Sequence, residues 1–257
     1  MNFQIKKLHN IPDMLKNISN PPKNLYYVGD PNLLNKRIVS IVGTRRPSNY
    51  TKDTTAKLAK ALSNLGVYIV SGGAMGVDAI AHKNAFPNTI AVLANSLDFF
   101  YPMVNQKLLS DIYNKSLAIS EYEKDFKARA YTFVQRNRLV VGLGECLIVT
   151  EADEGSGSLR SVEFALEQGK KIYVLPHRLD ESKGTQKLLQ SGLAEPIYDF
   201  NTFISQFGTI IKEKDEILDF CLNNPSLDDA INKFGMKIYE YELENKLIIK
   251  DLKVYVV

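Results

Sequence analysis

The sequence is most restrictive in what it withholds. Its 257 residues include no tryptophan, only two cysteines and only three histidines. Cys146 and Cys221 stand far apart and in no metal-ligand spacing, which excludes a disulfide scaffold or a zinc module. They predict reduced thiols and a cytoplasmic location. No run approaches the roughly 18 uncharged apolar residues of a membrane span. The opening MNFQIKKLHNIPDML also lacks the apolar core and small-residue cleavage site of an export signal. Neither a GxxxxGK(S/T) phosphate loop nor a GxGxxG dinucleotide fingerprint occurs. Missing too are the groupings that activate a nucleophile: there is no GxSxG, no Cys–His neighbourhood and no close carboxylate pair. The reading therefore calls for no catalytic residue, metal or cofactor. The lack of tryptophan excludes nothing.

What is present is an ordinary α/β composition, 45% hydrophobic and 24% charged, with its charge unevenly spread. Residues 212–257 hold 7 Lys, no Arg and 10 Asp or Glu, a net of −3, so residues 1–211 carry +6 of the overall +3. Within that basic part, Lys124 to Arg138 has a net of +4. Concentrated positive charge of this kind suits a polyanion, and the acidic tail is its electrostatic opposite.

Residues 1–36 contain Pro12, Pro21, Pro22 and Pro31 with little periodicity, and read as an arm packed on the main domain. Residues 37–211 alternate strand-like runs (37–42, 67–70, 89–93, 117–120, 147–150, 171–175) with helical patterns such as Leu58, Ala59, Leu62 and Leu65 before Gly66. That alternation predicts a doubly wound, mostly parallel sheet covered on both faces. Residues 203–211 read as a helix. In residues 212–257, helices near 217–223, 227–234 and 236–245 precede LIIKDLKVYVV, a hairpin pattern. These are the parts of a small winged-helix-like module.

Three apolar runs end in small polar residues before a helical segment: IVSIVGTRRPS, VYIVSGGAMGVD and CLIVTEADEGSGSL. In a doubly wound sheet such turns gather at the carboxyl edge, where ligands bind. Glycine backbone admits a phosphate closely, and the helix that follows offers free N–H groups and a positive dipole end. Gly43, Thr44, Arg45 and Arg46 form the first turn, with Pro47 and Ser48 as stop and helix cap. Ser71, Gly72, Gly73 and Gly76 form the second. Asp78 and His82, four apart, read as a helix-surface hydrogen bond rather than a catalytic or metal pair. Glu151, Ser156, Gly157 and Ser158 form the third. Gln135-Arg136-Asn137-Arg138 reads as the first turn of a buried helix continued by Leu139-Val140-Val141. For either arginine alone, pairing with Glu121, Glu123 or Glu151 competes with phosphate binding; with the +4 segment leading in, nucleic acid is favoured. Glu151 has readings as a general base, as a ribose acceptor and, preferred, as the group orienting Arg136 or Arg138. Tyr50, Phe100, Tyr101, Phe126, Tyr131 and Phe133 near these turns are candidates for base stacking; most read as core, with Tyr50 and Tyr131 as the exposed ones.

Taken together, VGTR, SGGAMGVDAIAH, FxxRNR, VTEADEGSGS and the later Gly184-Thr185, Leu188-Leu189 and Ser191-Gly192 resemble the DNA-processing protein A (DprA/Smf) family, in family order from about Leu25 to Gly192. The resemblance implies an extended Rossmann-like fold that binds single-stranded DNA, protects it during natural transformation, loads the RecA recombinase, acts as a homodimer and is not an enzyme. It places the family's DNA-pocket arginine on Arg45 and its glycine turn on Ser71, Gly72, Gly73 and Gly76. Its FxxRNR element falls on Phe133, Arg136, Asn137 and Arg138, and its EA…SGS element on Glu151, Ala152, Ser156, Gly157 and Ser158. Where the family often has proline, lysine and glycine, this chain has Lys127-Ala128-Arg129-Ala130-Tyr131-Thr132, so Lys127 and Arg129 both stand for the pocket lysine. The rival reading is a Rossmann-type nucleotide-binding enzyme similar to the lysine-decarboxylase-like phosphoribohydrolases, whose PGGxGTxxE string is absent here; a third is a passive nucleotide sensor.

Overall fold

Six short apolar runs make the centre of the molecule a parallel sheet. In the computed structural model, which describes residues 3–208 and 215–256, these runs are β3 (Ile38–Val42), β4 (Tyr68–Gly72), β5 (Thr89–Leu93), β6 (Leu117–Ser120), β7 (Cys146–Val149) and β8 (Lys171–Val174). Before them come β1 (Lys6–Lys7) and β2 (Tyr26–Gly29), and after them β9 (Glu195–Pro196). Among the described residues the order is β1-β2-β6-β5-β4-β3-β7-β8-β9, parallel from β6 to β9 and antiparallel at the two first strands. Residues 3–36 pack on the main domain: β1 and β2 form one edge of the sheet, and Leu15, Leu25 and Val28 are buried.

Strand residues alternate between two apolar layers. Val42, Val70, Val92, Leu147 and Val149 face α1 (Asp13–Lys16), α5 (Ala130–Leu143) and α6 (Gly157–Glu167). Val39, Ile41, Ile69 and Ile148 face α2 (Asn49–Asn64) and α3 (Val77–Ala85), with α8 (Phe200–Ser205) beside them. Further along this face, Ala91, Leu93 and Ala118 meet α4 (Gln106–Lys115). The crossover α7 (Lys183–Gln190) joins β8 to β9. The helical stripe seen in α2 is real: Leu58, Ala59 and Leu62 have no exposed surface, and each buried leucine contributes roughly 2 kcal/mol. Ser48 caps α2 through its hydroxyl, which accepts from the Thr51 N–H at 3.2 Å. The helix expected over 203–211 is α8, and residues 209–211 of that reading lie outside the described ones.

A second compact unit follows the division between Gly208 and Thr209. It contains α9 (Glu216–Cys221), α10 (Leu227–Phe234), α11 (Lys237–Leu243) and the hairpin β10 (Leu247–Lys250) with β11 (Lys253–Val256). Ile217, Cys221, Ala230, Ile238, Leu247 and Val254 form its own core. Asp215 and Ser226 cap α9 and α10. Three helices and a hairpin in this order are a winged-helix-like arrangement.

Candidate nucleic-acid interface

From β3 the chain winds out through β4 and β5 to β6; from β7 it winds the other way through β8 to β9. The connections leaving these two neighbours diverge, and a crevice opens outside their carboxyl ends. This is the topological switch point, where doubly wound sheets bind ligands. A cleft of about 510 Å³ lies there, lined by the β3 turn, the end of β4, the middle of α5 and the start of α6. It collects Gly43, Thr44, Arg45, Arg46, Gly72, Phe133, Arg136, Asn137, Ser156, Gly157 and Ser158 from the sequence candidates.

Backbone bonds fix the first turn. Thr44 donates its N–H to the Glu151 carbonyl at 2.9 Å and accepts from the Val77 N–H at 3.1 Å. Gly76, with φ at +78°, lets the start of α3 approach this turn so closely that a Cβ would stand 2.6 Å from the Arg45 carbonyl carbon. Arg45 and Arg46 are exposed and enter no ion pair among the described residues. The Arg45 guanidinium lies 5.5 Å from the Phe133 ring centre.

Arg136 is the opposite kind of cation. It is only 5% exposed, donates through Nη1 to the Val92 carbonyl at 2.5 Å and through Nε to Asn137 Oδ1 at 3.2 Å. Its guanidinium lies over the α-carbon of Gly72, where any Cβ would overlap it. Burial pulls its pKa down and the Asp78 carboxylate opposes this, yet a guanidinium stays protonated in proteins. The cleft therefore sets three arginines against one carboxylate, Asp78.

At the other wall, Gly157 and Ser158 occupy the first turn of α6, whose N–H groups have no intrahelical acceptor. Two hydroxyls in this wall, Ser156 Oγ and the buried Ser161 Oγ, have no hydrogen-bond partner among the described residues. Donors without partners around a positive dipole end make an anion site.

Several sequence candidates sit elsewhere. The quartet at 135–138 is not a first turn: α5 begins at Ala130, so these residues lie in its second and third turns. Arg138 points away from the cleft into a part-buried ion pair with Glu121 at 2.6 Å, and also donates to the Asn20 and Gln135 carbonyls. Glu151 orients neither arginine. Its Oε2 accepts from the Ser48 N–H at 3.0 Å and hydroxyl at 2.9 Å, which anchors the far end of the Arg45–Arg46 turn. Ser71 is buried and donates to the Ile41 carbonyl. Gly73 and Gly76 line neighbouring cavities. Lys127 and Arg129 are exposed and line none of these cavities; Arg129 lies over the Phe126 ring. Asp78 and His82 form no surface pair: Asp78 accepts from the Ala74 N–H, while His82 is buried between Thr89 and the Gly72 carbonyl. Tyr50 and Tyr131 are exposed, as is Tyr101, which flanks Phe133.

Sequence reasoning missed Ser161 and Asp78 as cleft residues, and it did not single out Tyr101 as exposed. Helical spacing held the signal for Ser161, which is four residues after Gly157 and so on the same face. Among the described residues no three metal-ligating side chains gather, and no helix is long and apolar enough to cross a membrane.

Comparison with known proteins agrees with this architecture. Residues 2–208 match the family described as DNA recombination-mediator protein A. The chain is 37% identical over 187 residues to the DNA processing protein DprA of Bacillus subtilis, covering 70% of this chain and 63% of that one. It is 37% identical over 208 residues to the protein Smf of Synechocystis, covering 77% and 52%. The matches thus span about half to two thirds of those relatives. A solved structure of DNA processing protein A from Helicobacter pylori, described for its single-stranded DNA binding mode, superposes with a TM-score of 0.78 at 46% identity over 79% of this chain and 95% of that one. The corresponding Streptococcus pneumoniae structure gives 0.74 at 34% identity, over 80% and 75%.

Proposed function

Because the chain belongs to the DNA recombination-mediator protein A family, we propose that its switch-point cleft holds the sugar-phosphate backbone of single-stranded DNA. The observation carrying this reading is the convergence of Arg45, Arg46 and Arg136 on the unpaired donors of the α6 start, in one cleft. Phosphates seat on the Gly157 and Ser158 N–H groups and the Ser156 and Ser161 hydroxyls, and the arginines neutralise their charge. The exposed Arg45 contributes the attraction an incoming strand first meets, whereas the buried Arg136 is already in place and costs little to order on binding. Phe133 and Tyr101 offer ring faces to bases without reading their edges.

The protein works as a binding partner without catalytic turnover, in the cytoplasm. It shields incoming single strands during transformation, pairs with a second copy and hands the strand to the RecA recombinase. The second unit serves protein contacts. Asp228 and Asp229 of α10 and Glu240 and Leu243 of α11 are exposed, and their carboxylates repel a phosphate backbone.

The test offers labelled oligo-dT and nucleoside monophosphates to the purified chain. Tight, salt-sensitive oligonucleotide binding with the nucleotides recovered intact is expected. Release of free base from a monophosphate would turn the reading to the phosphoribohydrolase-like enzyme.

A further inference from the structure

Arg45 lines the cleft and two further cavities, so a strand leaving the cleft passes it toward one of them. The cavity beside Phe133 and Tyr101 has room for about 40 Å³, a water or two and no nucleotide. The other, between the starts of α2 and α3, is a shallower and more open groove of about 520 Å³. Its floor is apolar, from Pro47, Ala79 and Ile80, and its cations are Arg46 and Lys52 beside Arg45. Among the described residues no acidic one lines it.

Lys52 is exposed and in no ion pair among the described residues; its ammonium donates only to Asn49 Oδ1 at 3.1 Å. It is the fourth residue of α2, close to the positive end of the helix dipole, where a cation is disfavoured. A lysine held against the dipole, with no carboxylate to neutralise it and an apolar trough beside it, matches a sugar-phosphate chain: phosphate on the rim, deoxyribose on the floor.

We propose that the Arg46–Lys52 groove is a second backbone subsite, which receives the nucleotides that follow those in the cleft. This rests on the single-strand reading above. The strand then bends over the Thr44–Arg46 turn, with Arg45 at the bend and one phosphate on Lys52.

Wild-type chain and the Lys52→Glu variant are titrated with a dT dinucleotide and a dT dodecamer across a salt series. The wild type gains affinity with length, and in the variant that gain shrinks by about fivefold, the upper range of an exposed charge contact. The log–log salt slope for the dodecamer becomes shallower by about 0.7 or more, one phosphate contact on a single strand. Thermal melting stays at the wild-type value, since the substitution puts an acid near the positive helix end. An undiminished gain with length, or an unchanged slope, overturns the groove and leaves the cleft standing. If the wild type binds neither oligonucleotide, the single-strand reading itself has failed and the subsite with it.

Discussion

The sharpest test of the cleft's construction is a single methyl group. In Gly72→Ala the new Cβ meets the Arg136 guanidinium, and Gly72 has no positive φ, so backbone strain does not confuse the result. The guanidinium is the end of a flexible side chain, but at 5% exposure it is walled in and cannot simply swing aside. Displacing it breaks the bond to the Val92 carbonyl, a loss of about 1.5–3 kcal/mol for a charged donor. Restricting the unfolded chain returns about 0.4–1 kcal/mol, so the net destabilisation is about 1–2 kcal/mol. Removing the side chain as well, in Gly72→Ala/Arg136→Ala, leaves the methyl nothing to strike. The two substitutions should therefore be non-additive by about 1–2 kcal/mol in urea unfolding followed by circular dichroism. Oligo-dT affinity of Gly72→Ala should fall about tenfold, as the displaced arginine no longer faces the strand. A Gly72→Ala protein with wild-type stability and affinity, or a strictly additive double variant, would refute the packing of Arg136 on Gly72.

Arg45→Glu should abolish oligo-dT binding at an unchanged melting temperature, because the side chain is exposed and in no ion pair among the described residues. Arg138→Ala should do the reverse: it leaves the part-buried Glu121 without its cation, costs up to about 3 kcal/mol in unfolding experiments, and spares the affinity of the protein that remains folded. The salt dependence of oligo-dT binding should have a log–log slope of about −2 for Arg45, Arg46 and Arg136, and about −3 with Lys52 added; a flat response would make these cations structural. Burial holds the His82 imidazole below its usual 6.5, so the unfolded chain takes up the proton first. The stability this confers is complete above about pH 6.5 and is lost as pH falls, with a limiting slope of about 1.4 kcal/mol per unit that His82→Gln should remove. Deleting residues 209–257 should leave oligo-dT affinity per protomer near wild type, apart from avidity lost with pairing.

The strands β3 to β8 were legible because each is buried on both faces and so appears as an unbroken apolar run between turn residues. β2 was not: Tyr26 and Tyr27 are only half-buried beside an edge, and the nearby prolines disguise the run. The cleft was legible as a set of turns, since position at the carboxyl edge follows from strand order alone. The roles of individual charged residues were not. Arg136 and Arg138 look equivalent in FVQRNR, yet two residues along a helix are about 200° apart, so one cleft cannot receive both. Glu151 had no local mark of its partner, because Ser48 lies 103 residues away in sequence.

The two walls of the cleft belong to opposite wings of the sheet, and the seam between them is the single pairing of β3 with β7, from Ser40 with Leu147 to Val42 with Val149. A strand seated across that seam acts as a clasp. Any opening that parts the wings must first release it, so amide hydrogens of Ile41, Val42, Ile148 and Val149 should exchange more slowly in proportion to oligonucleotide concentration. Amides in the second unit, with a core of its own, should exchange at the same rate with or without it.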